Sequence, residues 1–383
     1  MKHALLVFAL SFFALFATLH AQQTLDLTIQ HNGLTRQYRL YVPAIYNNNT
    51  PVPLLFNLHG YGSNNFQQLV YGDFRSIADT ANFLICAPNG TPEPGTGSLR
   101  WNSGFATGVD DVGFLSALID TLSAQYNINL ARVYSTGMSN GGFMSFELAC
   151  MLSDRIAAVA SVTGSMTTLQ FSTCTPNRAM PVMQIHGTAD ATVPYNGAAG
   201  FASMEQLLNY WINHNGCNPT PTITPIPDIN TTDGSTAERY DYGNCTELSA
   251  VVFYKVTGGG HTWPGSVITL ANTNKDFSAS SVIWEFFRQY TNPNYPDVTV
   301  STGAALPTSP LQIYPNPATD AFQIIGLTDP TAQVYLVDIT GKPVQSYSFT
   351  ELASLNASAL PAGLYFVVVT GKQGAATLKL LKN

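Results

Sequence analysis

One short segment of the sequence has the residue types and the order of a serine nucleophile. Residues 137–141 read Gly-Met-Ser-Asn-Gly, between a strand-like stretch at 132–136 and a helix-forming run at 142–151. A serine on a sharp turn between a strand and a helix holds its hydroxyl clear of the sheet, and the flanking glycines leave room around it. We therefore predict that Ser139 is a nucleophile; the alternative is an ordinary glycine-rich turn.

A nucleophilic serine needs a base, and the base needs a carboxylate that orients it. Residues 182–190 read as an apolar strand followed by a turn that ends at Asp190. Residues 251–256 read as a further strand, and the glycine-rich loop after it carries His261. We predict Asp190 as the acid and His261 as the base. The alternatives are a turn-capping aspartate and a loop histidine without a task.

Three other histidines are weaker candidates for the base. His186 precedes the acid, His214 lies in a predicted apolar helix, and His59 opens the segment His-Gly-Tyr-Gly after the buried strand at 54–58. In folds that present a serine in this way, the loop after such a strand supplies one amide of the oxyanion hole, so His59 is expected to brace that loop. The predicted oxyanion donors are the backbone N–H groups of Tyr61 and Asn140.

Five segments in this order resemble a known family of secreted esterases, which contains feruloyl esterases, acetylxylan esterases and extracellular poly(3-hydroxybutyrate) depolymerases. The segments are residues 59–62, 109–114, 137–142, 186–195 and 259–265. The resemblance runs from about residue 25 to residue 292. It implies an α/β-hydrolase fold and assigns the catalytic roles to Ser139, Asp190 and His261, but it leaves the substrate open.

The hydrophobic pattern agrees with that fold class. Strands and helices alternate between residues 25 and 292, which predicts a mostly parallel sheet with helices on both faces. Helices are predicted over residues 66–81, 110–126, 204–214 and 280–290, as well as after Ser139. Asp110 and Asp111 stand at the start of one of them, so helix capping is favoured over an acid pair.

Composition narrows the class of partner. The chain has 383 residues, of which 45% are hydrophobic, enough for a sizeable core. Lys and Arg number 16 against 23 Asp and Glu, for a net charge of −7. An acidic chain without basic runs argues against nucleic acid or an anionic membrane as partner. The sequence has no metal-ligand spacing and no phosphate-binding loop, so we expect no metal and no cofactor.

The first residues indicate export. Lys2 and His3 precede an apolar run over residues 4–17, and Ala21 offers a plausible cleavage point. This pattern is typical of a signal peptide over residues 1–21, with an uncleaved anchor as the alternative. We therefore expect a secreted or cell-surface protein whose catalytic domain spans residues 22–293.

Five cysteines in an exported chain predict two disulfides and one free thiol, and more than one pairing is possible. Position favours Cys217 with Cys245, which would close the Thr- and Pro-rich segment before the histidine strand. It likewise favours Cys150 with Cys174. Cys86 lies in a predicted buried strand and is expected to be a free core thiol.

The character of the chain changes after residue 293. Residues 294–310 read as a linker, and residues 311–383 as short alternating strands of a small all-β sandwich. The segments at 314–317, 338–342 and 360–365 resemble the C-terminal sorting domain of the type IX secretion system of Bacteroidetes. That resemblance implies the outer-membrane secretion machinery as a partner. A carbohydrate- or polymer-binding module is the alternative.

Three functions fit the sequence. A serine esterase that removes feruloyl or acetyl groups from plant polysaccharide is favoured. An extracellular poly(3-hydroxybutyrate) depolymerase is second, and a non-enzymatic adhesin is third. Trp101, Tyr195 and Trp263 are expected to flank the serine and bind an ester-bearing polymer or a small ester. We expect a monomer.

Overall fold

This computed structural model describes residues 22–104, 108–246, 248–270, 272–295, 311–327, 332–338, 343–348, 354–371 and 374–383. The predicted signal peptide at residues 1–21 and most of the predicted linker lie outside the described residues. No helix among the described residues is long and apolar enough to cross a membrane.

The described residues between 22 and 295 are organised around a ten-stranded sheet. Its strands in chain order are β1 (Gln23–His31), β2 (Leu34–Val42), β3 (Val52–Leu58), β4 (Leu84–Pro88), β7 (Ile128–Met138), β8 (Ala158–Val162), β9 (Val182–Gly187), β10 (Thr222–Pro225), β11 (Thr236–Tyr242) and β12 (Val251–Thr257). A separate two-stranded hairpin consists of β5 (Thr91–Pro92) and β6 (Leu99–Arg100).

The sheet is parallel in its centre and antiparallel at both edges. Its spatial order is β1-β2-β4-β3-β7-β8-β9-β12-β11-β10. The strands from β4 to β12 in this order pair in parallel, whereas β1, β2, β11 and β10 join in antiparallel register. Every residue of β4 and β8 is buried, as expected for parallel strands that are covered on both faces. The predicted fold class is confirmed.

Seven helices in the described part of the chain cover the two faces of this sheet. They are α1 (Asn65–Tyr71), α2 (Arg75–Ala81), α3 (Asp111–Gln125), α4 (Asn140–Met151), α5 (Thr168–Thr173), α6 (Met204–His214) and α7 (Ala279–Phe287). Alternate residues of β3 enter separate cores: Leu54 and Phe56 pack with side chains of α3, α4 and α6, whereas Leu55 packs with side chains of α1, α2 and α7. The period-two geometry of a strand therefore divides the core into two layers.

Some predicted elements differ from those observed. The single helix predicted over residues 66–81 is two helices, because Gly72 ends α1 and Phe74 precedes α2. Helix α5 was not predicted, and neither were β10 and β11, which lie within the Thr- and Pro-rich segment between Cys217 and Cys245. All four residues of β10 are exposed, so this edge strand has no hydrophobic alternation to reveal it.

The described residues after 310 form two small antiparallel sheets. Their strands are β13 (Gln312–Tyr314), β14 (Ala321–Ile325), β15 (Gln333–Val337), β16 (Pro343–Ser348), β17 (Leu355–Asn356), β18 (Gly363–Gly371) and β19 (Gly374–Lys382). One sheet has the order β13-β14-β17 and the other β16-β15-β18-β19. Phe322 from the first sheet and Val334 and Val367 from the second share one core, which agrees with the predicted sandwich. Strands β16 and β17 were not predicted.

Both favoured disulfides are present. Cys150 at the end of α4 is joined to Cys174, and Cys217 beyond α6 is joined to Cys245. Cys86 is a buried free thiol, and its burial raises the pKa of the thiol well above the usual range. The second disulfide ties the end of α6 to the turn before β12, the strand that leads to His261.

Removing the Cys217–Cys245 disulfide should lower thermal stability. Its cysteines are 28 residues apart in sequence, and closing a loop of that size is worth about 3–4 kcal/mol in the chain-entropy account. We expect the Cys217→Ser/Cys245→Ser variant to melt several degrees below the wild type. Wild-type protein melted with and without a reductant is the control. Equal melting temperatures, or free thiols at both positions in non-reducing peptide mapping, would contradict this expectation.

Candidate active site

Ser139 occupies a strained turn between β7 and α4. Its backbone angles are φ 54° and ψ −121°, a region that a residue with a Cβ rarely enters and that costs of order 1–3 kcal/mol. Two hydrogen bonds hold it there: its N–H donates to the carbonyl of Val162 at 2.8 Å, and its own carbonyl accepts from the N–H of Phe143 at 3.0 Å. The serine thus stands at the carboxyl end of the parallel strands, where α/β sheets place their ligands.

The glycines on either side of Ser139 are required by a close backbone contact. A Cβ at Gly137 would lie 2.5 Å from the carbonyl oxygen of Leu58, and one at Gly141 would lie 2.1 Å from the same oxygen. Leu58 is the last residue of β3, so the end of this strand lies directly against the turn. The two glycines of the motif therefore allow β3 to approach the turn at Ser139.

Asp190 and His261 form a hydrogen-bonded pair. The Nδ1 of His261 lies 2.8 Å from Oδ2 of Asp190. The other carboxylate oxygen accepts from the backbone N–H groups of Thr192 and Val193 at 2.8 and 2.9 Å. Asp190 is buried. Burial by itself raises the pKa of its carboxyl, but the hydrogen bond and charge of His261 outweigh that effect, and the pKa ends below its usual value. The carboxylate is therefore charged and fixes the imidazole tautomer.

Gly187, the last residue of β9, allows the loop that carries His261 to approach the turn that carries Asp190. A Cβ at Gly187 would lie 2.2 Å from the carbonyl oxygen of Gly259. That carbonyl accepts a hydrogen bond from the N–H of Ala189 at 2.9 Å. The backbones of the two loops are thus in direct contact, close to the hydrogen bond between Asp190 and His261.

Ser139 and His261 line one pocket of about 190 Å³. Its wall is largely apolar, and the remaining lining residues are Gly60, Tyr61, Ser63, Tyr71, Met138, Thr262, Trp263, Ser266, Ile268 and Leu270. The hydrogen bonds among the described residues do not include one between the Ser139 hydroxyl and His261. Such contacts are often long before substrate binds and shorten in the Michaelis complex.

The predicted oxyanion donors lie beside Ser139. A Cβ at Gly60 would lie 3.3 Å from the Cβ of Ser139, so this loop borders the serine directly. The N–H groups of Gly60, Gly62 and Ser63 donate to Tyr71, Leu99 and Gly60. Within the described part of the chain, no acceptor receives the N–H of Tyr61. Asn140 is the first residue of α4, where backbone N–H groups have no partner inside the helix.

His59 and His186 are buried braces. His59 donates from Nδ1 to the carbonyl of Gly60 at 2.7 Å and accepts from the N–H of Gly90 at 3.0 Å, and burial lowers its pKa to about 4. His186 contacts Gln184 at Nδ1 and the carbonyl of Val193 at Nε2, and burial lowers its pKa as well. Both rings use both nitrogens in the neutral form, so neither is free to take a proton from Ser139.

Only one of the three aromatic residues expected to flank the serine does so. Trp263 lines the pocket and donates its indole N–H to Ser280. The expectation for Trp101 was wrong, because its side chain is fully buried and donates to the carbonyl of His59 at 3.0 Å. Tyr195 was also wrongly placed: it lines a different concavity, beside α6 and β12.

Some contacts that shape the site were not predicted, and for Asn140 the prediction covered the backbone N–H but not the side chain. The side chain of Asn140 accepts from the N–H of Trp101 at 2.6 Å and donates to the hydroxyl of Ser103 at 2.9 Å. It therefore ties residues 101–103 to the turn at Ser139. Ile268 and Leu270 form part of the pocket wall. Neither loop has periodicity, so no pattern marks these residues. The only available signal for Asn140 was its position next to the serine.

Asp110 and Asp111 serve structure, as predicted. Asp110 caps α3 by accepting from the N–H of Gly113 at 2.8 Å. Asp111 is buried and pairs with Arg36 at 2.6 Å, which the capping interpretation did not foresee. Among the described residues no group of three His, Cys, Asp or Glu side chains is arranged to hold a metal ion.

Two segments of the chain match known domain families. Residues 109–218 match the phospholipase/carboxylesterase family, and residues 312–383 match a secretion system C-terminal sorting domain. The sorting domain agrees with the predicted location, and we assign the protein to the cell exterior or surface.

Curated proteins and solved structures agree with these matches. Feruloyl esterase D of Neurospora crassa is 30% identical over 281 residues, which is 71% of this chain and 88% of that protein. A bifunctional acetylxylan esterase/xylanase of Neocallimastix patriciarum is 27% identical over 68% of this chain, and the match spans 34% of that larger protein. The structure of acetyl xylan esterase from Aspergillus awamori has a TM-score of 0.53 at 13% identity, covering 70% of this chain and 99% of that one.

Replacing Gly141 should disturb the turn because of the Leu58 carbonyl. The Gly141→Ala variant would have to move backbone, and overpacking of this kind costs typically 1–3 kcal/mol. Gly243→Ala is the matched control, because a Cβ there meets nothing within 4 Å. We expect urea unfolding to show a clear loss for Gly141→Ala and little change for Gly243→Ala. Equal stability of the two variants would contradict the close contact.

Proposed function

We propose that this chain, which belongs to the feruloyl esterase family of carboxylic ester hydrolases, removes aromatic acyl groups from plant polysaccharide outside the cell. The reaction would be hydrolysis of the ester bond between a phenolic acid and a sugar hydroxyl. The relative with 30% identity supports the family. The choice of acyl group rests on the pocket beside Ser139.

The size and lining of that pocket favour an aromatic acyl group. Its volume is about 190 Å³, and an apolar protein cavity of about 150 Å³ is known to hold benzene. Tyr71, Trp263, Ile268 and Leu270 supply apolar wall, against which an aromatic ring can pack with favourable edge or offset contacts. An acetyl group would leave most of this space unfilled. The pocket therefore supports a feruloyl-type acyl group over acetyl.

In the proposed mechanism Ser139 is the nucleophile. Its Oγ attacks the ester carbonyl carbon while Nε2 of His261 takes the hydroxyl proton and Asp190 stabilises the imidazolium. The carbonyl oxygen becomes negative and accepts hydrogen bonds from the N–H groups of Tyr61 and Asn140. His261 then gives its proton to the departing sugar oxygen. Water activated by the same histidine hydrolyses the acyl-enzyme and restores Ser139.

A polyester depolymerase is the second candidate. Val267, Ile268 and Leu270 are exposed next to the pocket, and an apolar strip at the mouth of a site suits contact with an apolar polymer surface. Clearing of a poly(3-hydroxybutyrate) suspension, without release of ferulate from arabinoxylan, would favour this candidate.

We also propose that residues 312–383 engage the outer-membrane secretion machinery during export, on the basis of the sorting-domain match.

Replacing the nucleophile should abolish hydrolysis. We expect Ser139→Ala to lower kcat on methyl ferulate by a factor of about 10⁴ or more, because loss of a triad serine costs about 10⁶ in a well-studied protease. The melting temperature should stay close to that of the wild type. Ser172→Ala, an exposed serine on α5, is the matched control. Activity of Ser139→Ala within tenfold of the wild type would refute the assignment.

The acyl preference can be tested on the pocket wall. Ile268 lines the pocket, whereas its neighbour Val267 does not and is 79% exposed. Ile268→Ala should raise KM for methyl ferulate several-fold, with little change on p-nitrophenyl acetate, because apolar contact with the aromatic ring is lost. Val267→Ala is the matched control and should leave both substrates unchanged. An equal effect of Ile268→Ala on both substrates would argue against an aromatic acyl site.

A further inference from the structure

A second concavity lies at the antiparallel edge of the large sheet, where β11 and β12 meet α6. Its volume is about 510 Å³, and it shares no lining residue with the pocket at Ser139. We name it the tyrosine cleft. Its lining residues are Tyr195, Asn196, Ser203, Glu205, Leu208, Asn209, Tyr240, Tyr242, Phe253 and Lys255.

Aromatic rings form one side of the tyrosine cleft. Tyr240 and Tyr242 are two residues apart on β11, so their side chains share a face of the sheet. Tyr240 lies opposite Phe253 on β12, with ring centroids 5.7 Å apart. The ring of Tyr195 lies 6.3 Å from that of Phe253. Phe253 is buried, and the three tyrosines are half-buried, so they offer ring surface at the cleft.

Polar groups without a protein partner border these rings. Among the described residues, no hydrogen bond involves the hydroxyls of Tyr195 and Tyr242 or the side-chain amides of Asn196 and Asn209. Burial raises the pKa of both tyrosines, so both hydroxyls keep their protons. Buried tyrosine hydroxyls usually find a partner, and here the cleft leaves two of them available.

The charges of the cleft balance. Lys255 and Glu205 contribute one charge of each sign, and neither forms an ion pair with a described residue. An anionic or cationic ligand would therefore meet no net attraction. Rings that present flat apolar faces, surrounded by hydroxyl and amide groups, suit a ligand that has both apolar C–H faces and many hydroxyls.

We propose that the tyrosine cleft binds a neutral glycan chain, in which pyranose rings stack on the tyrosines and sugar hydroxyls pair with the free amides and hydroxyls. The inference rests on the proposed function, because the glycan would be the polysaccharide that carries the ester. It adds a non-catalytic binding site for the main chain of the substrate, apart from the pocket that takes the acyl group.

The cleft is placed to act on the same polymer as Ser139. Tyr195 lies five residues after Asp190 on the acid loop, and its ring is 6.2 Å from that of His186. His186 in turn lies 3.5 Å from the Asp190 carboxylate. A chain held in the cleft would therefore stay near the catalytic loops. Anchoring of this kind raises the local concentration of ester and lowers KM on the polymer, without altering chemistry on a small ester.

Binding of xylohexaose, a neutral oligosaccharide without ester groups, tests the proposal directly. By titration calorimetry on the full chain we expect a dissociation constant at or below about 1 mM. Tyr242→Ala and Asn209→Ala should each weaken binding by roughly two- to tenfold. Asn213→Ala is the matched control, since this exposed asparagine lies one turn along α6 and outside the cleft.

All three variants should keep wild-type kcat/KM on methyl ferulate, while the two cleft variants should raise KM on feruloylated arabinoxylan.

The outcomes separate this proposal from the proposed function. Hydrolysis of methyl ferulate without binding of xylohexaose overturns the glycan cleft and leaves the esterase assignment intact. Binding that survives both cleft substitutions also overturns it, because the sugar would then lie elsewhere. Retention on poly(3-hydroxybutyrate) that both substitutions abolish assigns the cleft to a polyester instead. Failure of the wild type to hydrolyse methyl ferulate contradicts the proposed function, whatever the sugar titration gives.

Discussion

The backbone contact between the end of β3 and the turn at Ser139 is the constraint on which the site depends. The carbonyl oxygen of Leu58 lies where a Cβ at Gly137 or Gly141 would be, so the strand can approach only because both positions are glycine. The approach brings the loop after β3, with Gly60 and Tyr61, to the border of the serine. It also supports the positive φ of Ser139, which a looser turn would relax.

Buried polar groups hold the surroundings of this contact in place. The side chain of Asn140 bonds Trp101 and Ser103, and Asp111 accepts from the N–H of Asn102 while it pairs with Arg36. Segment 101–103 is thereby tied from two sides. A buried ion pair gives little net stability but fixes geometry, because a wrong arrangement would leave a charge without a partner. Trp101, buried against His59, belongs to this support and not to the substrate surface.

The proposed function rests on two separate surfaces, an apolar pocket at Ser139 and a polar aromatic cleft at the antiparallel edge of the sheet. The pocket at Ser139 is small and apolar, which suits an acyl group. The tyrosine cleft at the antiparallel edge is larger and rich in unpartnered polar groups. An ester that joins a phenolic acid to a sugar has an apolar aromatic part, which suits the pocket, and a polar sugar part, which suits the cleft.

The sequence alone determined the fold class and indicated the catalytic residues that we propose, because both depend on local signals. The turn glycines around Ser139, the chain order of Ser139, Asp190 and His261, and the apolar strands that alternate with helices are each readable within a few residues. Tertiary structure alone decided which aromatic side chains face the site. Trp101 and Trp263 have equally suggestive loop contexts and both side chains are buried, yet only Trp263 lies in the pocket wall, because the neighbours of each ring come from segments distant in sequence. The exposed strand β10, the side-chain role of Asn140 and the tyrosine cleft likewise arise only when remote residues come together, and no local pattern encodes such contacts.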